Sequence, residues 1–186
     1  MAVFLETARL VLRTATADDV DHLVGLNGDP EVMRYLTGGA ATPREEISDA
    51  IIPAWLRYYD RYDGFGYWIA QTRDTGEFLG WFHFRPEPGD ETVVELGYRL
   101  LRSCWGRGYA TEGSVALISK GFTELGVRRV LARTMTVNAA SRRVMEKCGL
   151  AYVRTFRSEH TAGIEGAEQG EVEYAVTREE WLAARG

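Results

Sequence analysis

Cysteine is scarce in this sequence, with Cys104 and Cys148 as its two examples among 186 residues. Two cysteines do not make a disulfide framework, so they are expected to be reduced thiols. Long apolar runs are also missing, because none approaches the roughly 20 residues that span a bilayer. The N-terminus lacks the basic and then apolar pattern of a secretory signal. These absences favour a cytoplasmic protein without a membrane partner.

Positive charge is also limited, since the formal net charge at pH 7 is -5. A general nucleic-acid-binding protein needs a basic surface, so we expect no nucleic acid partner. The three histidines, His22, His83 and His160, are far apart and have no cysteine cluster beside them, so we expect no metal. The hydrophobic content of 45% and the length of 186 residues suit one domain, 1–186, with its own core.

The order of apolar patterns predicts an α+β fold with a mixed sheet of about seven strands flanked by helices. Three strands near 65–72, 78–85 and 93–101 follow one another through short turns and should form an antiparallel meander. A helix then leads to a strand near 128–134. A crossover through a helix joins parallel strands, so the sheet should contain one parallel pair.

Two stretches, 42–45 and 177–180, have the Thr-x-x-Glu pattern of a capping box and predict helix starts. The first should open a helix that runs to about Tyr62, with a kink at Pro53. Its aromatic stripe is typical of core packing, although part of it could line a ligand groove. The stripe consists of Ile47, Ile51, Trp55, Tyr58, Tyr59 and Tyr62. The polar, glycine-rich stretch 158–170 is predicted to be a mobile loop.

The stretch 93–113 combines a β-prone strand, a glycine turn and the start of an amphipathic helix. Gly106 and Gly108 flank Arg107 directly before the helical pattern begins. The first turn of a helix has free N–H groups and the positive end of the helix dipole, and glycine allows a phosphate to approach the backbone. This stretch therefore predicts an anion site.

The sequence WGRGYA at 105–110 resembles the turn with which GNAT N-acetyltransferases hold the pyrophosphate of acetyl-CoA. With the Thr-Glu pair that follows, it is similar to the RimJ/RimL-type branch of that family, whose known members include ribosomal-protein N-terminal acetyltransferases. Residues 7–13 resemble the first strand of that branch, and 138–150 resembles its Asn-x-x-Ser helix. The resemblance covers the chain from about residue 7 to residue 181.

The resemblance implies a GNAT-like fold in which the two central parallel strands splay apart beside the thioester. It also implies direct transfer of acetyl, in a ternary complex, from acetyl-CoA to a primary amine on a protein N-terminus or a small molecule. The Leu100 amide would donate to the developing oxyanion, and Trp105 would serve as packing. The expected acetyl-CoA contacts are Tyr98, Leu100, Trp105, Gly106, Arg107, Gly108, Ala110, Thr111, Asn138, Ser141 and Arg143.

Two residues are the catalytic candidates under this resemblance. Glu95, on the strand before the turn, would be the base for the amine, and Ser141 would protonate the leaving thiolate. Each has a structural alternative: Glu95 could pair with an arginine on the next strand, and Ser141 could only reinforce the cap that Asn138 makes. Tyr152 is a weaker candidate for the acid and is expected in the core.

Two other functions compete with the transferase. A dinucleotide-binding enzyme could use Gly106 and Gly108, but the third glycine position is Thr111 and the strand at 132–134 ends without an acidic residue. A non-catalytic module could keep the fold to bind CoA or a protein partner. Exposed aromatic residues on the second helix and the meander could also form a homodimer face.

Overall fold

A computed structural model describes residues 2–186, apart from the side chain of His160. Within this range, eight strands form one mixed sheet in the order β1-β2-β3-β4-β5-β6-β8-β7. The strands are Val3–Glu6 (β1), Leu10–Thr14 (β2), Gly66–Thr72 (β3), Phe78–Glu87 (β4), Asp90–Leu100 (β5), Arg129–Met135 (β6), Ala151–Phe156 (β7) and Glu171–Thr177 (β8). The α+β class with a mixed sheet is confirmed. The strand that sequence reasoning missed is β1, which pairs antiparallel with β2.

Helices cover both faces of the sheet. Their bounds are Val20–Asn27 (α1), Pro30–Thr37 (α2), Arg44–Glu46 (α3), Ile52–Arg61 (α4), Tyr109–Thr123 (α5), Ala139–Lys147 (α6) and Arg178–Ala183 (α7). A π-helical segment, Ile47–Ile51, joins α3 to α4. Short 3-10 turns occur at Ala17–Asp19, Arg102–Cys104, Glu159–Thr161 and Ala167–Gln169.

The predicted meander and parallel pair are both present. Strands β3, β4 and β5 pair antiparallel in sequence order. After α5, β6 returns parallel to β5. The paired stretch is short, because it joins Val93–Glu95 only to Arg129–Leu131. Beyond it, β5 continues along β4 to Leu100 while β6 continues along β8 to Met135. The two central strands therefore diverge and leave a wedge-shaped gap.

The hydrogen-bond alternation of β5 fixes which backbone groups face this gap. The N–H of Leu101 donates to the carbonyl of Leu79 on β4 at 2.8 Å. In an antiparallel ladder the backbone groups of alternate residues point to the same neighbour. The odd-numbered residues of β5 form their backbone hydrogen bonds with β4. The N–H and C=O groups of the even-numbered residues Leu96, Tyr98 and Leu100 therefore point to the β6 side. There, β6 has already turned away.

Helix α5 packs closely on one face of the sheet because two of its residues have no side chain. A Cβ built on Gly113 would lie 2.5 Å from Phe82, and one on Gly121 would lie 2.6 Å from Phe84. Both phenylalanines are fully buried on β4. This close contact fixes the N-terminus of α5 against the end of β5, which is where the anion site is predicted.

The opposite face is covered by α1 and α4. Trp55 of α4 stacks on Tyr67 of β3 with ring centroids 4.5 Å apart, so part of the aromatic stripe belongs to the core. A π-helical segment ends directly before Ile52 and Pro53, next to the position of the predicted kink. Proline has no N–H to donate to the preceding turn, and such sites favour a local change of helix type.

The capping box predicted at 42–45 is wrong. The residue before α3 is Pro43, and no side chain caps this helix start. The Thr42 hydroxyl instead accepts a hydrogen bond from the buried Asn27 side chain at 3.2 Å. The second capping box is confirmed, since the Thr177 and Glu180 side chains each bond the other's backbone N–H.

The stretch predicted to be a loop, 158–170, contains two short 3-10 turns. Its Glu165 lies 3.6 Å from Arg34 of α2, so this segment reaches the helices of the α1 face. No helix in the described part of the chain is long and apolar enough to cross a membrane.

Candidate active site

The glycine turn has the geometry that the anion prediction requires. Gly106 and Gly108 have φ angles of 73° and 83°, in the left-handed region that favours glycine. Gly108 is the residue that caps α5, and its carbonyl accepts the first helical hydrogen bond, from Glu112 N–H. The N–H groups of residues 109–111, which lie between Gly108 and Glu112, have no acceptor within the helix. They project from the positive end of α5.

A salt bridge that the sequence did not predict holds this turn in place. Glu112, in the first turn of α5, accepts hydrogen bonds from the Thr7 hydroxyl at 2.6 Å and from Arg9 Nε at 2.7 Å. Arg9 Nη1 also donates to the carbonyl of Arg107 at 3.0 Å. Burial raises the pKa of Glu112, but these hydrogen bonds outweigh it and keep the pKa below its ordinary value. The carbonyl of Arg107 is thus held toward Arg9.

Trp105 does more than pack. Its indole Nε1 donates to the carbonyl of Leu100 at 2.9 Å, and the side chain is 48% exposed. This bond ties the glycine turn to the last residue of β5. It also occupies the Leu100 carbonyl, whereas the Leu100 N–H on the same side stays directed into the gap.

Tyr98 and the Asn-x-x-Ser helix meet across the gap between β5 and β6. The Tyr98 hydroxyl lies 3.1 Å from Ser141 Oγ and donates to the Ser141 carbonyl at 3.2 Å. Asn138 caps α6, because its Oδ1 accepts from Ser141 N–H at 3.1 Å, and its Nδ2 donates to Thr134 at 3.1 Å. Burial raises the pKa of Tyr98 despite the Ser141 hydrogen bond, so the phenol keeps its proton.

A cleft of about 430 Å³ opens on the face of β5 that carries Glu95. It is lined by Tyr58, Arg61, Tyr62, Arg85, Pro86, Glu87, Pro88, Gly89 and Glu95. Two tyrosines of the aromatic stripe therefore reach a ligand-sized space, while others pack inward. Glu95 meets the geometry of both alternatives, the catalytic base and the structural ion pair. Its carboxylate faces the cleft, and it also accepts a hydrogen bond from Arg85, which stands opposite it on β4. Arg133 Nη1 is 3.8 Å from its other oxygen.

His83 is a residue of this site that the sequence did not reveal. It pairs with Gly97 of β5, and a Cβ on Gly97 would lie 2.4 Å from the imidazole ring. Its Nε2 is 3.8 Å from a Glu95 oxygen and has no hydrogen-bond partner among the described residues. Burial, with the nearby charges of Arg85 and Arg99, holds the pKa of His83 well below its usual range. The ring is therefore neutral.

Two predicted candidates form no hydrogen bond with the site residues described above. Arg143 is exposed on α6 and has no hydrogen bond or ion pair to a described residue. Tyr152 is on β7, separated from β5 by β6 and β8, and bonds Thr155 at 2.9 Å. It is 55% exposed, so its expected place in the core was wrong.

The cysteines are confirmed as free thiols, and both are buried. Burial raises the pKa of Cys148 to about 11, so it is protonated at neutral pH and is a poor nucleophile. Among the described residues, no three His, Cys, Asp or Glu side chains come together as a metal site would require. The side chain of His160 lies outside the described residues.

Comparison with known proteins gives the family. Residues 9–151 match the model of the family described as Acetyltransferase (GNAT) domain. The chain belongs to the GNAT acetyltransferases. An Aspergillus fumigatus protein named FsC-acetyl coenzyme A-N(2)-transacetylase is 38% identical over 186 residues, which cover 96% of this chain and 77% of that protein.

Two solved structures share the fold. RimL, a ribosomal L7/L12 alpha-N-protein acetyltransferase in complex with coenzyme A, has a TM-score of 0.79 at 20% identity and covers 95% of this chain and 98% of its own. The aminoglycoside acetyltransferase AAC(6')-Ib, also with coenzyme A, has a TM-score of 0.73 at 18% identity and covers 95% and 99%. These structures show the fold, whereas the family model and the fungal relative make the protein a GNAT enzyme, an N-acetyltransferase. Enzymes of this family use acetyl-CoA.

Proposed function

We propose that this GNAT enzyme moves acetyl from acetyl-CoA directly to a primary amine in a ternary complex. The observation that carries the proposal is the divergence of β5 from β6 beyond Glu95. It leaves backbone N–H groups without a strand partner between two features, the free N-terminus of α5 and the cleft that holds Glu95. A thioester in the gap would have a phosphate site at one end and an acceptor space at the other.

The acetyl-CoA end of the site is the glycine turn. In the proposal, the N–H groups of Gly106, Arg107, Gly108, Ala110 and Thr111 surround the pyrophosphate. The side chains of Trp105, Asn138 and Arg143 line the path of the cosubstrate. The left-handed glycines and the positive end of the α5 dipole support this assignment. Arg143 supports it as well, because its charge has no partner among the described residues.

Three groups would handle the charge and protons of the reaction. The N–H of Leu100 points into the gap and would donate to the oxyanion that forms when the amine attacks the thioester. Glu95 would attract the ammonium form of the acceptor and receive its proton, directly or through a water. Ser141 would donate a proton to the leaving thiolate, supported by the Tyr98 hydroxyl 3.1 Å away.

The acceptor class is the finer part of the proposal. A primary amine on a protein N-terminus or on a small molecule would fit the cleft, and the RimJ/RimL-type resemblance favours the first. One relative is named FsC-acetyl coenzyme A-N(2)-transacetylase, and this name favours the second class, an amine on a small molecule. An α-amino group with a pKa of about 8 needs less help from Glu95 than a lysine amine near 10.4. A homodimer and a cytoplasmic location remain predictions, and the two free thiols agree with a reducing compartment.

The proposal is tested by calorimetric titration of the purified protein with acetyl-CoA, CoA and NAD, followed by a thiol-release assay. We expect micromolar binding of acetyl-CoA, no binding of NAD, and thiol release with at least one class of amine. A panel of N-terminal peptides and small amines then separates the acceptor classes. Binding of CoA without thiol release on any acceptor would contradict the catalytic proposal and favour the non-catalytic module.

A further inference from the structure

Unsatisfied polar atoms are concentrated on one face of the central strands. Among the described residues, five buried side-chain nitrogen or oxygen atoms lack a hydrogen-bond partner. Three of them are His83 Nε2, Arg85 Nε and Arg99 Nε. In the β4–β5 register, His83 and Arg85 stand opposite Gly97 and Glu95, so all three nitrogens belong to the face that carries Glu95.

Arg99 differs from the other arginines of this face in having no carboxylate. Arg85 pairs with Glu95, and Arg133 pairs with Glu87 and Glu173. Arg99 has no ion pair to a described residue. Among the described residues, its side chain donates one hydrogen bond, from Nη1 to the amide oxygen of Asn27 at 2.6 Å.

The described residues around Arg99 include an aromatic ring and an amide but no ion-pair partner. Its guanidinium lies over the Trp81 ring, 5.0 Å from the ring centroid, and burial alone lowers the pKa of Arg99 to about 10. A buried charge without an opposite charge is unfavourable, and buried arginines are normally paired. The neutral amide of Asn27 satisfies one N–H but contributes no negative charge.

The guanidinium is nevertheless held in a fixed position. Asn27 is buried at the end of α1, and its Nδ2 donates to Thr42 at 3.2 Å, which orients its oxygen toward Arg99. Arg99 Nε and Nη2 form no hydrogen bond to a described residue, and the Arg99 side chain is partly exposed. A preorganised arginine with a free amino group matches a carboxylate, because the planar guanidinium donates to both carboxylate oxygens.

The spacing along β5 places this group within reach of the acceptor. Glu95 and Arg99 lie on the same face, four residues apart, which is roughly 13 Å along a strand. Gly97 between them has no side chain, and its surface is covered by the neutral His83 ring. An amine delivered to the gap near Gly97 would therefore have Glu95 on one side and Arg99 on the other.

We propose that Arg99 binds a carboxylate of the acceptor, so that the acceptor is an amine that carries a carboxylate a few bonds from its nitrogen. This inference rests on the proposed acetyl transfer, since it names the substrate class of the same site. In this arrangement Glu95 faces the ammonium end and Arg99 the carboxylate end. The two charges would orient the acceptor along β5 with its nitrogen at the thioester.

The test compares unbranched ω-amino acids of two to six carbons with their carboxamides. Each probe is titrated calorimetrically into the CoA-loaded protein and is also assayed for thiol release with acetyl-CoA. The proteins are the wild type, Arg99→Gln and, as a matched control, Arg185→Gln. Arg185 follows α7, outside the proposed site, and its guanidinium also lies over a tryptophan ring, 4.0 Å from the Trp181 centroid, without an ion pair to a described residue.

We expect the wild type to bind at least one acid about 10- to 100-fold more tightly than its amide, the effect of one charge-assisted hydrogen bond. Arg99→Gln should remove this preference and leave amide binding unchanged, whereas Arg185→Gln should keep it. Equal affinity for acid and amide in the wild type, or a preference that survives in Arg99→Gln, would overturn the inference.

The two readouts separate this inference from the proposed function. An acid preference that depends on Arg99, without thiol release from any amine, would support the carboxylate site and contradict the transferase proposal. Thiol release from amines without an acid preference would support the transferase and overturn the carboxylate site. Circular dichroism of Arg99→Gln confirms that any change comes from a folded protein.

Discussion

The hydroxyl groups of Tyr98 and Ser141 lie 3.1 Å apart, although 43 positions separate the two residues in the sequence. Tyr98 is on β5 and Ser141 is in the first turn of α6, so the pair spans the gap in which we propose the thioester. The Tyr98 hydroxyl lies within hydrogen-bond distance of both the Ser141 carbonyl and Ser141 Oγ, and when it donates to Oγ the proton of Ser141 is free to be donated to the thiolate. Tyr98 would then hold the Ser141 hydroxyl in one orientation.

This pair gives the first prediction. Ser141→Ala should lower kcat about 100-fold if Ser141 protonates the thiolate, since positioned proton donors typically contribute about 10²- to 10⁴-fold. Tyr98→Phe should lower kcat about tenfold, because it removes one orienting hydrogen bond. Steady-state kinetics and calorimetry on each variant should show a much smaller change in acetyl-CoA affinity than in kcat.

Tyr152→Phe is the matched control for Tyr98→Phe. It also removes a phenolic hydroxyl, but from an exposed position on β7. Its kcat should equal that of the wild type. If Ser141→Ala reduced acetyl-CoA affinity and kcat by the same factor, Ser141 would be a binding contact and the assignment of the acid would be wrong.

The glycine turn gives the second prediction. Gly108→Asp places a negative charge where we propose the pyrophosphate, so acetyl-CoA affinity should fall at least about 100-fold through repulsion and lost space. Gly76→Asp is the control, since Gly76 also has a positive φ, of 70°, with open space around it, but lies in the β3–β4 turn. Both variants carry similar backbone strain. Calorimetry with acetyl-CoA should separate them, and equal affinities would refute the phosphate site.

The parts of the site that depend on local sequence were predictable. Nearby residues in the sequence determine three of these parts: the turn at Gly106 and Gly108, the helix that follows it, and the cap at Asn138. The parallel pairing of β5 with β6 also followed, because a helical crossover allows few other arrangements. Local periodicity and turn chemistry therefore gave the sheet order around the site and the position of the anion turn.

Long-range contacts between polar side chains were not predictable. Arg9 and Glu112 are 103 positions apart, and their pairing depends on how α5 packs against the N-terminal strands. The failed capping box shows the same effect locally, since Thr42 bonds Asn27 instead of its own helix. His83 gave no sequence signal, because its role arises from the absence of a side chain at Gly97 on the neighbouring strand.

Glu95 gives the third prediction. Glu95→Gln keeps the shape of the side chain but removes the charge that would receive the amine proton, so kcat should fall at least about 100-fold. Glu87→Gln is the control, because Glu87 is a carboxylate that lines the same cleft and also pairs with an arginine, Arg133. Thiol-release kinetics with a reactive amine should show a much smaller effect for Glu87→Gln. Comparable losses in both variants would mean that Glu95 acts only through the charge balance of the cleft.

The last prediction concerns the buried ion pair that supports the α1 face. Arg13 and Asp19 are 5% and 2% exposed, and Arg13 Nη2 lies 2.6 Å from Asp19 Oδ1. Burial raises the pKa of Asp19, but hydrogen bonds from Arg13 and Thr16 outweigh it and keep the pKa below its ordinary value. Asp19 should therefore stabilise the fold above about pH 4, and this stability should be lost as the pH falls through the lowered folded-state pKa.

Removing this carboxylate should have a large effect, because it leaves the Arg13 charge buried and unpaired. Asp19→Asn should lower the free energy of unfolding by about 3 to 5 kcal/mol, whereas Asp21→Asn, which loses an exposed pair with Arg44, should lower it by less than about 1 kcal/mol. Urea unfolding at pH 7 and at pH 3 measures both effects. The difference between wild type and Asp19→Asn should shrink at the lower pH, since Asp19 then binds a proton in the unfolded wild type and its charge favours the folded state less. A difference that does not change with pH would mean that Asp19 contributes through hydrogen-bond geometry and not through its charge.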